Sequence, residues 1–274
     1  MLPEDELIGL LAEVAGTSGE LLVGIGDDAA VLDGGLVVCT DALVDGVHFR
    51  SDAMAARDIG LRAAAANLSD LAAMGARPLA LLAAIGLPDG YQGAQELAAG
   101  LAGHGVPLAG GDLTRAPVLT VAVTALGRAA RPVLRSGGRP GDRLVVTGPL
   151  GGQAASGYTR PVTPRLAEGV ELAMVATAMI DLSDGIASDV RRLATASGTG
   201  AMVDLARLPR APGATLEQAA AGGEDYELLA AVPPDAALPS WATDVGELTE
   251  RPEVLLVDAD GTARDLVGYD HFRR

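Results

Sequence analysis

The chain has 274 residues, enough for one large domain or two ordinary ones, so it can bury a substantial apolar core without a disulfide or metal staple. It is 49% hydrophobic but only 3% aromatic, which assigns that core to Ala, Val, Leu and Ile, and its net charge of −16 opposes binding to a nucleic-acid backbone. All 20 basic residues are arginines, so a G-x-x-x-x-G-K-[ST] phosphate loop is excluded and any bound phosphate must be neutralised by something other than lysine. The single Cys39 cannot form an intrachain disulfide. No apolar run reaches the roughly 20 residues of a membrane span, and the acidic N-terminus lacks the basic start of a secretory signal, so a cytoplasmic protein without a membrane partner is expected.

Short Val/Leu/Ala strands alternating with Ala-rich helices make the class mixed α/β. Residues 36–40 read as a strand, Ala55 to Met74 as a long helix ended by Gly75 and Pro78, and 118–126 as another strand. Residues 131–142, rich in Pro, Gly and Arg, read as a connector, which divides the chain into 1–130 and 131–274. Beyond it, strands are expected at 144–147, 201–205, 226–232 and 254–258, with a helix on each side of a turn at 180–185 and a hairpin turn at Gly261. No internal repeat is visible, and Ala-rich patches such as 63–66 read as close helix packing.

Chemistry concentrates where acids sit at apolar-to-glycine junctions. Gly26-Asp27-Asp28-Ala29 sets two carboxylates side by side, and acids brought together this way call for a cation. Thr40 and Asp41 end a strand and offer hard oxygen ligands; Cys39 beside them reads as a small buried hydrophobe, and His48 has no companion at zinc spacing. In the long helix Asn67 and Asp70 are three apart and share a face, which an Ala/Leu-rich helix buries, so a metal or a hydrogen-bond network must stand close to Asp70. Gly110-Gly111-Asp112 reads as a glycine turn that lets backbone approach a ligand. In Ile180-Asp181-Leu182-Ser183-Asp184-Gly185, Ser183 or Asp184 is placed to cap the following helix, which leaves Asp181 without a local explanation. Gly222-Gly223-Glu224-Asp225-Tyr226-Glu227 again sets acids between glycines and a strand. Recurrent carboxylates without His or Cys clusters form the donor set of a hard-cation site, where several Mg²⁺ ions would supply the charge that the missing lysines do not.

Taken in order, Asn67-Leu68-Ser69-Asp70-Leu71-Ala72-Ala73-Met74-Gly75, Gly110-Gly111-Asp112, Arg135-Ser136-Gly137, Asp181-Leu182-Ser183-Asp184-Gly185, Gly222-Gly223-Glu224-Asp225 and Gly268-Tyr269-Asp270-His271-Phe272 resemble the motifs of the thiamine-monophosphate kinase family, within the aminoimidazole-ribonucleotide-synthetase-like superfamily, along nearly the whole chain. The resemblance implies a two-domain α/β fold whose N-terminal sheets pair in a homodimer. It also implies transfer of the γ-phosphoryl of ATP to thiamine monophosphate. Carried over residue by residue, it implies that Asp28, Thr40, Asp41, Asp70, Asp112, Asp181 and Asp184 hold magnesium, that Arg135 and Ser183 contact ATP, and that His48, Glu224 and Tyr269 contact the thiamine phosphate. The acceptor oxygen is already ionised near neutral pH, so no general base and no covalent phosphoenzyme are expected.

Cys39 stands where the family often has a hydroxyl residue, Leu113 interrupts a Gly-Gly-Asp-Thr run, and the stretch 156–168 is short. The rival readings are a sister ATP-dependent synthetase and a non-catalytic Mg-nucleotide binding module. Selenophosphate synthesis is disfavoured by the absence of lysine, and a nicotinamide-dependent Rossmann enzyme by the missing third glycine after Gly26.

Overall fold

A computed structural model describes residues 4–269. Its first half holds helices α1 (Glu4–Val14), α2 (Ala56–Ala73) and α3 (Ala94–Leu101) and strands β1 (Leu21–Val23), β2 (Ala30–Leu32), β3 (Leu36–Val44), β4 (Arg77–Leu87), β5 (Leu108–Arg115) and β6 (Thr120–Arg128). The strands form one sheet in the order β1-β2-β3-β6-β4-β5, antiparallel except for β4 with β5. Period-two alternation puts Val37, Cys39, Leu81, Ala83, Val121 and Val123 on a face covered by α2. Ala42, Leu82 and Ala84 alternate onto the opposite face, which is exposed among the described residues.

The second half holds α4 (Gly152–Ala155), α5 (Leu166–Leu172), α6 (Ile186–Ser197) and α7 (Leu216–Ala221) with strands β7 (Arg143–Val146), β8 (Ala178–Asp181), β9 (Gly200–Asp204), β10 (Leu228–Val232), β11 (Thr243–Thr249), β12 (Val254–Val257) and β13 (Ala263–Arg264). They form a seven-stranded sheet ordered β13-β12-β9-β11-β7-β10-β8. Its central strands are buried on both faces, which is why they read as continuous apolar runs. Leu229 and Ala231 of β10 pack with Ile186, Val190 and Leu193 of α6, whereas Leu228, Ala230 and Val232 pack with Leu172 of α5 and with Ala72 and Ala73 of α2. The predicted hairpin turn is present: Gly261, at φ 84°, joins β12 to β13.

Helix α2 is therefore the central post of the molecule, with the first sheet on one side and the second on the other. Its alanines and glycines permit that closeness. A Cβ on Gly60 would lie 2.2 Å from the Leu97 carbonyl oxygen, one on Gly100 would lie 2.0 Å from that of Arg57, and one on Gly169 would lie 2.2 Å from that of Ala72. The helix stops where the sequence indicates, with Gly75 at φ 62° accepting the left-handed turn after its last residue.

Two local expectations are corrected. Gly110-Gly111-Asp112 lies in the middle of β5 and not in a turn; glycine is needed at 111 because a Cβ there would sit 1.9 Å from the Ala83 carbonyl oxygen on the adjoining strand. Neither Ser183 nor Asp184 caps α6, whose N-cap is Gly185 without a side-chain bond; the Asp184 N–H instead donates to Asp189 at 3.1 Å. No helix among the described residues is long and apolar enough to cross a membrane.

Candidate active site

The architecture gathers acids that lie far apart in sequence. Strand β3 presents Asp41, α2 presents Asp70, β8 ends at Asp181, and the turn before β2 presents Asp28. Carboxylate oxygens of Asp28, Asp70 and Asp181 lie within 4.8 Å of one another. They face a cleft of about 900 Å³ whose walls also include Thr40, Asp41, His48, Arg135, Ser183, Asp184, Glu224 and Tyr269. Of the twelve residues to which the resemblance assigns a metal, nucleotide or substrate contact, only Asp112 is not on this wall. It lies on edge strand β5, in register with Ala84, Ala122 and Ala42 on the exposed face. Three interstrand spacings, roughly 14 Å, separate it from β3.

Asn67 explains how β3 is aligned to α2. Fully buried, it donates from Nδ2 to the Ala63 carbonyl at 3.1 Å and accepts the Asp41 N–H on Oδ1 at 2.9 Å. Cys39 is buried as expected and its thiol donates to the Asn67 carbonyl at 3.2 Å, so it ties the strand to the helix. The Thr40 hydroxyl, also on the cleft wall, donates to the Val123 carbonyl at 3.0 Å and lies 3.1 Å from the Thr124 hydroxyl.

Electrostatics mark the cluster as under strain. Burial first, then Asp41, Asp181 and Asp28, push the Asp70 carboxyl well above the ordinary carboxylate range, and burial with Asp28 and Asp189 does the same to Asp181. Asp28 is anchored on one oxygen by Arg135 Nη2 at 2.7 Å, while its Oδ2 and the Oδ2 of Asp181 are buried without a hydrogen-bond partner. Burial works against the charge of Arg135, but Asp28, Asp181 and Asp27 hold its pKa above the ordinary value. Unsatisfied carboxylate oxygens converging on one point, all hard donors, fit a divalent cation such as Mg²⁺ and do not suit a soft metal.

Sequence reasoning did not separate the roles of several neighbours. Asp27, pushed up to about 6 by burial and by Asp28, accepts the Arg135 backbone N–H at 3.1 Å and so fixes the loop that brings Arg135 to Asp28. Arg192 bridges Asp184 at 2.5 Å and the buried Asp189 at 2.8 Å; spacing along α6 could have indicated the second pair but not the first. In the Gly222-Gly223 segment, Glu224 lines the cleft, Asp225 accepts the Gln153 N–H at 3.1 Å, and Glu227 takes Arg165 and the Thr147 hydroxyl. His48 accepts the Val44 N–H on Nδ1 at 3.0 Å, which places the proton of its neutral ring on Nε2. Of the last motif, Asp270, His271 and Phe272 lie outside the described residues.

Residues 26–129 match the family described as AIR synthase related protein, N-terminal domain. The thiamine-monophosphate kinase of Rhodopirellula baltica is 39% identical over 260 residues, covering 83% of this chain and 81% of that one. That of Halobacterium salinarum is 39% identical over 284 residues, covering 92% and 96%. The solved structure of AaThiL complexed with AMPPCP and TMP is similar with a TM-score of 0.87 at 27% identity, covering 99% of this chain and 97% of that one. Identity at this level along more than four-fifths of the chain, on a shared fold, makes this chain a member of the thiamine-monophosphate kinase family and an enzyme.

Proposed function

We propose that the enzyme transfers the γ-phosphoryl group of ATP to the phosphate of thiamine monophosphate, giving thiamine diphosphate and ADP. The observation that carries this reading is the convergence of Asp28, Asp70 and Asp181 in a cleft whose walls also include Arg135, Ser183, His48, Glu224 and Tyr269. AaThiL, similar along its whole length, was solved with AMPPCP and TMP together, which supports assigning both substrates to one cleft.

In this reading Asp28, Thr40, Asp41, Asp70, Asp181 and Asp184 hold magnesium, which when bound supplies the positive charge that nucleotide phosphates need in a chain without lysine. Arg135 and Ser183 orient the ATP phosphates. His48, Glu224 and Tyr269 hold the acceptor so that its phosphate oxygen lies in line with the β–γ bridge. That oxygen is the nucleophile, a new P–O–P bond forms as the bond to ADP breaks, and no residue has to remove a proton. The enzyme is read as two halves, 1–130 and 131–274, with the site between them. It is also read as a homodimer joined through the exposed apolar face of the first sheet. Asp112, three strands from its own cleft, can then act as a ligand only in the cleft of a second copy.

The test is ATP turnover with and without thiamine monophosphate. Consumption of ATP only when acceptor and Mg²⁺ are both present supports the kinase. Equal consumption without acceptor, or binding of Mg-ATP with no turnover at all, refutes it.

A further inference from the structure

Arg62 is the bulkiest side chain buried below 2% exposure, and it sits in the middle of α2 among alanines, two turns before Asp70. A buried guanidinium is retained only where its donors are matched. Here Nε donates to Glu224 Oε2 at 2.9 Å, Nη2 to the same oxygen, and Nη1 to the Tyr158 carbonyl at 2.5 Å. The two partners share a second property. Among the described residues the non-glycine residues at positive φ are Tyr158 at 62°, Glu224 at 59° and Tyr226 at 53°. Two of the three are the residues this one arginine grips, and the third lies two positions beyond Glu224. Left-handed backbone outside glycine persists only where surrounding contacts over-determine it.

Tyr158 and Glu224 line a second cavity of about 350 Å³, which shares His48, Glu224 and Tyr269 with the main cleft and adds Phe49, Met54 and Tyr158. Tyr158 belongs to the short stretch noted in the sequence, and its hydroxyl donates to the Gly222 carbonyl at 2.7 Å. The strap at 157–159 is thus clamped to the Gly222–Glu224 segment at two points, once through Arg62 and once through the tyrosine hydroxyl. Aromatic and thioether walls beside a single carboxylate suit a flat cationic heterocycle. Both bonds from Arg62 fall on Glu224 Oε2, which leaves Oε1 as the carboxylate's second acceptor.

We infer that Arg62 is a positioning residue for acceptor specificity: it fixes the Glu224 carboxylate and the Tyr158 ring as the wall against which the acceptor's heterocycle rests. This rests on the kinase reading above. Arg62 bonds to Glu224 and Tyr158 and not to the carboxylate cluster; it reaches the nucleotide side only through the Glu224 N–H, which donates to the Ser183 carbonyl at 2.6 Å, so its main effect falls on the acceptor.

The experiment measures kcat and the KM for each substrate in the wild type, Arg62→Lys, Arg62→Gln and Tyr158→Gly. Lysine keeps the buried charge but not the planar fork. Glycine at 158 adopts the observed φ without strain, so that variant folds even if Arg62→Gln does not. The expected result is a rise of about tenfold in the KM for thiamine monophosphate in Arg62→Lys and Tyr158→Gly, with the KM for ATP within about twofold of wild type. Unchanged acceptor KM in both variants, or a parallel rise in both KM values, overturns the inference while wild-type turnover leaves the kinase reading intact. Absence of thiamine diphosphate formation by the wild type refutes the kinase reading itself, and this inference with it.

Discussion

Replacing Asp181 by asparagine should make the metal-free protein more stable while removing its activity. Asp181 is 3% exposed, its Oδ2 has no hydrogen-bond partner, and its neighbours' carboxylate oxygens lie within 4.8 Å. Two full charges at that separation repel by about 3.5 kcal/mol at an effective dielectric of about 20. Burial and the neighbouring acids have already raised the Asp70 and Asp181 carboxyls, so part of this repulsion is relieved by bound protons and only a part is available to the mutation. An isosteric amide, which can also donate to Asp28 or Asp70, should therefore stabilise the metal-free chain by about 1–2 kcal/mol, or roughly 3–5 °C in Tm. Thermal unfolding in EDTA at pH 8, followed by titration with Mg²⁺, measures both sides of the exchange. The wild type should gain stability with Mg²⁺ and the variant should gain much less, while kcat falls at least about a thousandfold. A variant less stable than wild type in EDTA, or one that keeps the full Mg²⁺-dependent shift, would refute the reasoning.

Three further outcomes are expected. Asp27 and Asp189 titrate near about 6 and about 7 in the folded chain, each raised chiefly by burial, so between about pH 4 and pH 7 the folded state holds more protons than the unfolded one. Their contribution is therefore present at low pH and lost as pH rises through that window, and scanning calorimetry in EDTA should show Tm falling between about pH 5 and pH 8. Gly100→Ala, whose Cβ would sit 2.0 Å from the Arg57 carbonyl oxygen, should cost about 2–3 kcal/mol by forcing α3 away from α2, whereas Gly9→Ala in α1, with nothing within 4 Å, should be neutral or slightly stabilising in chemical denaturation. Leu82→Arg combined with Ala84→Arg puts charges on the exposed face of the first sheet and should halve the mass seen by light scattering; a wild type that is already monomeric would contradict the dimer.

The parts of this molecule that were legible in the sequence are those whose cause is local. Helix α2 showed itself through an Ala- and Leu-rich run with glycine and proline beyond it, and the acids showed themselves by sitting at apolar-to-glycine junctions. The cost of burying Asp70 unpaired calls for a metal or a hydrogen-bond network beside it, and which acids share the site follows only from the family resemblance. What stayed hidden depends on pairing over long distances. Gly110-Gly111-Asp112 looks like a turn until β4 lies beside it and Ala83 leaves no room for a Cβ. Arg62 looks like one more charged residue in a helix, and its partners at 158 and 224 are 96 and 162 residues away. Asp184 looks like a cap because the motif ends next to a helix, yet Arg192 and Asp189 inside that helix take its side chain and its N–H.

The central claim is that this cleft joins two phosphates with magnesium as the only added cation. The most direct measurement is thiamine diphosphate formed from thiamine monophosphate and ATP, separated by chromatography and read by thiochrome fluorescence, with Mg²⁺ and with excess EDTA. The account predicts product with Mg²⁺ and none with EDTA. Product of equal yield in EDTA, or none under either condition from folded protein that binds Mg-ATP, would contradict it.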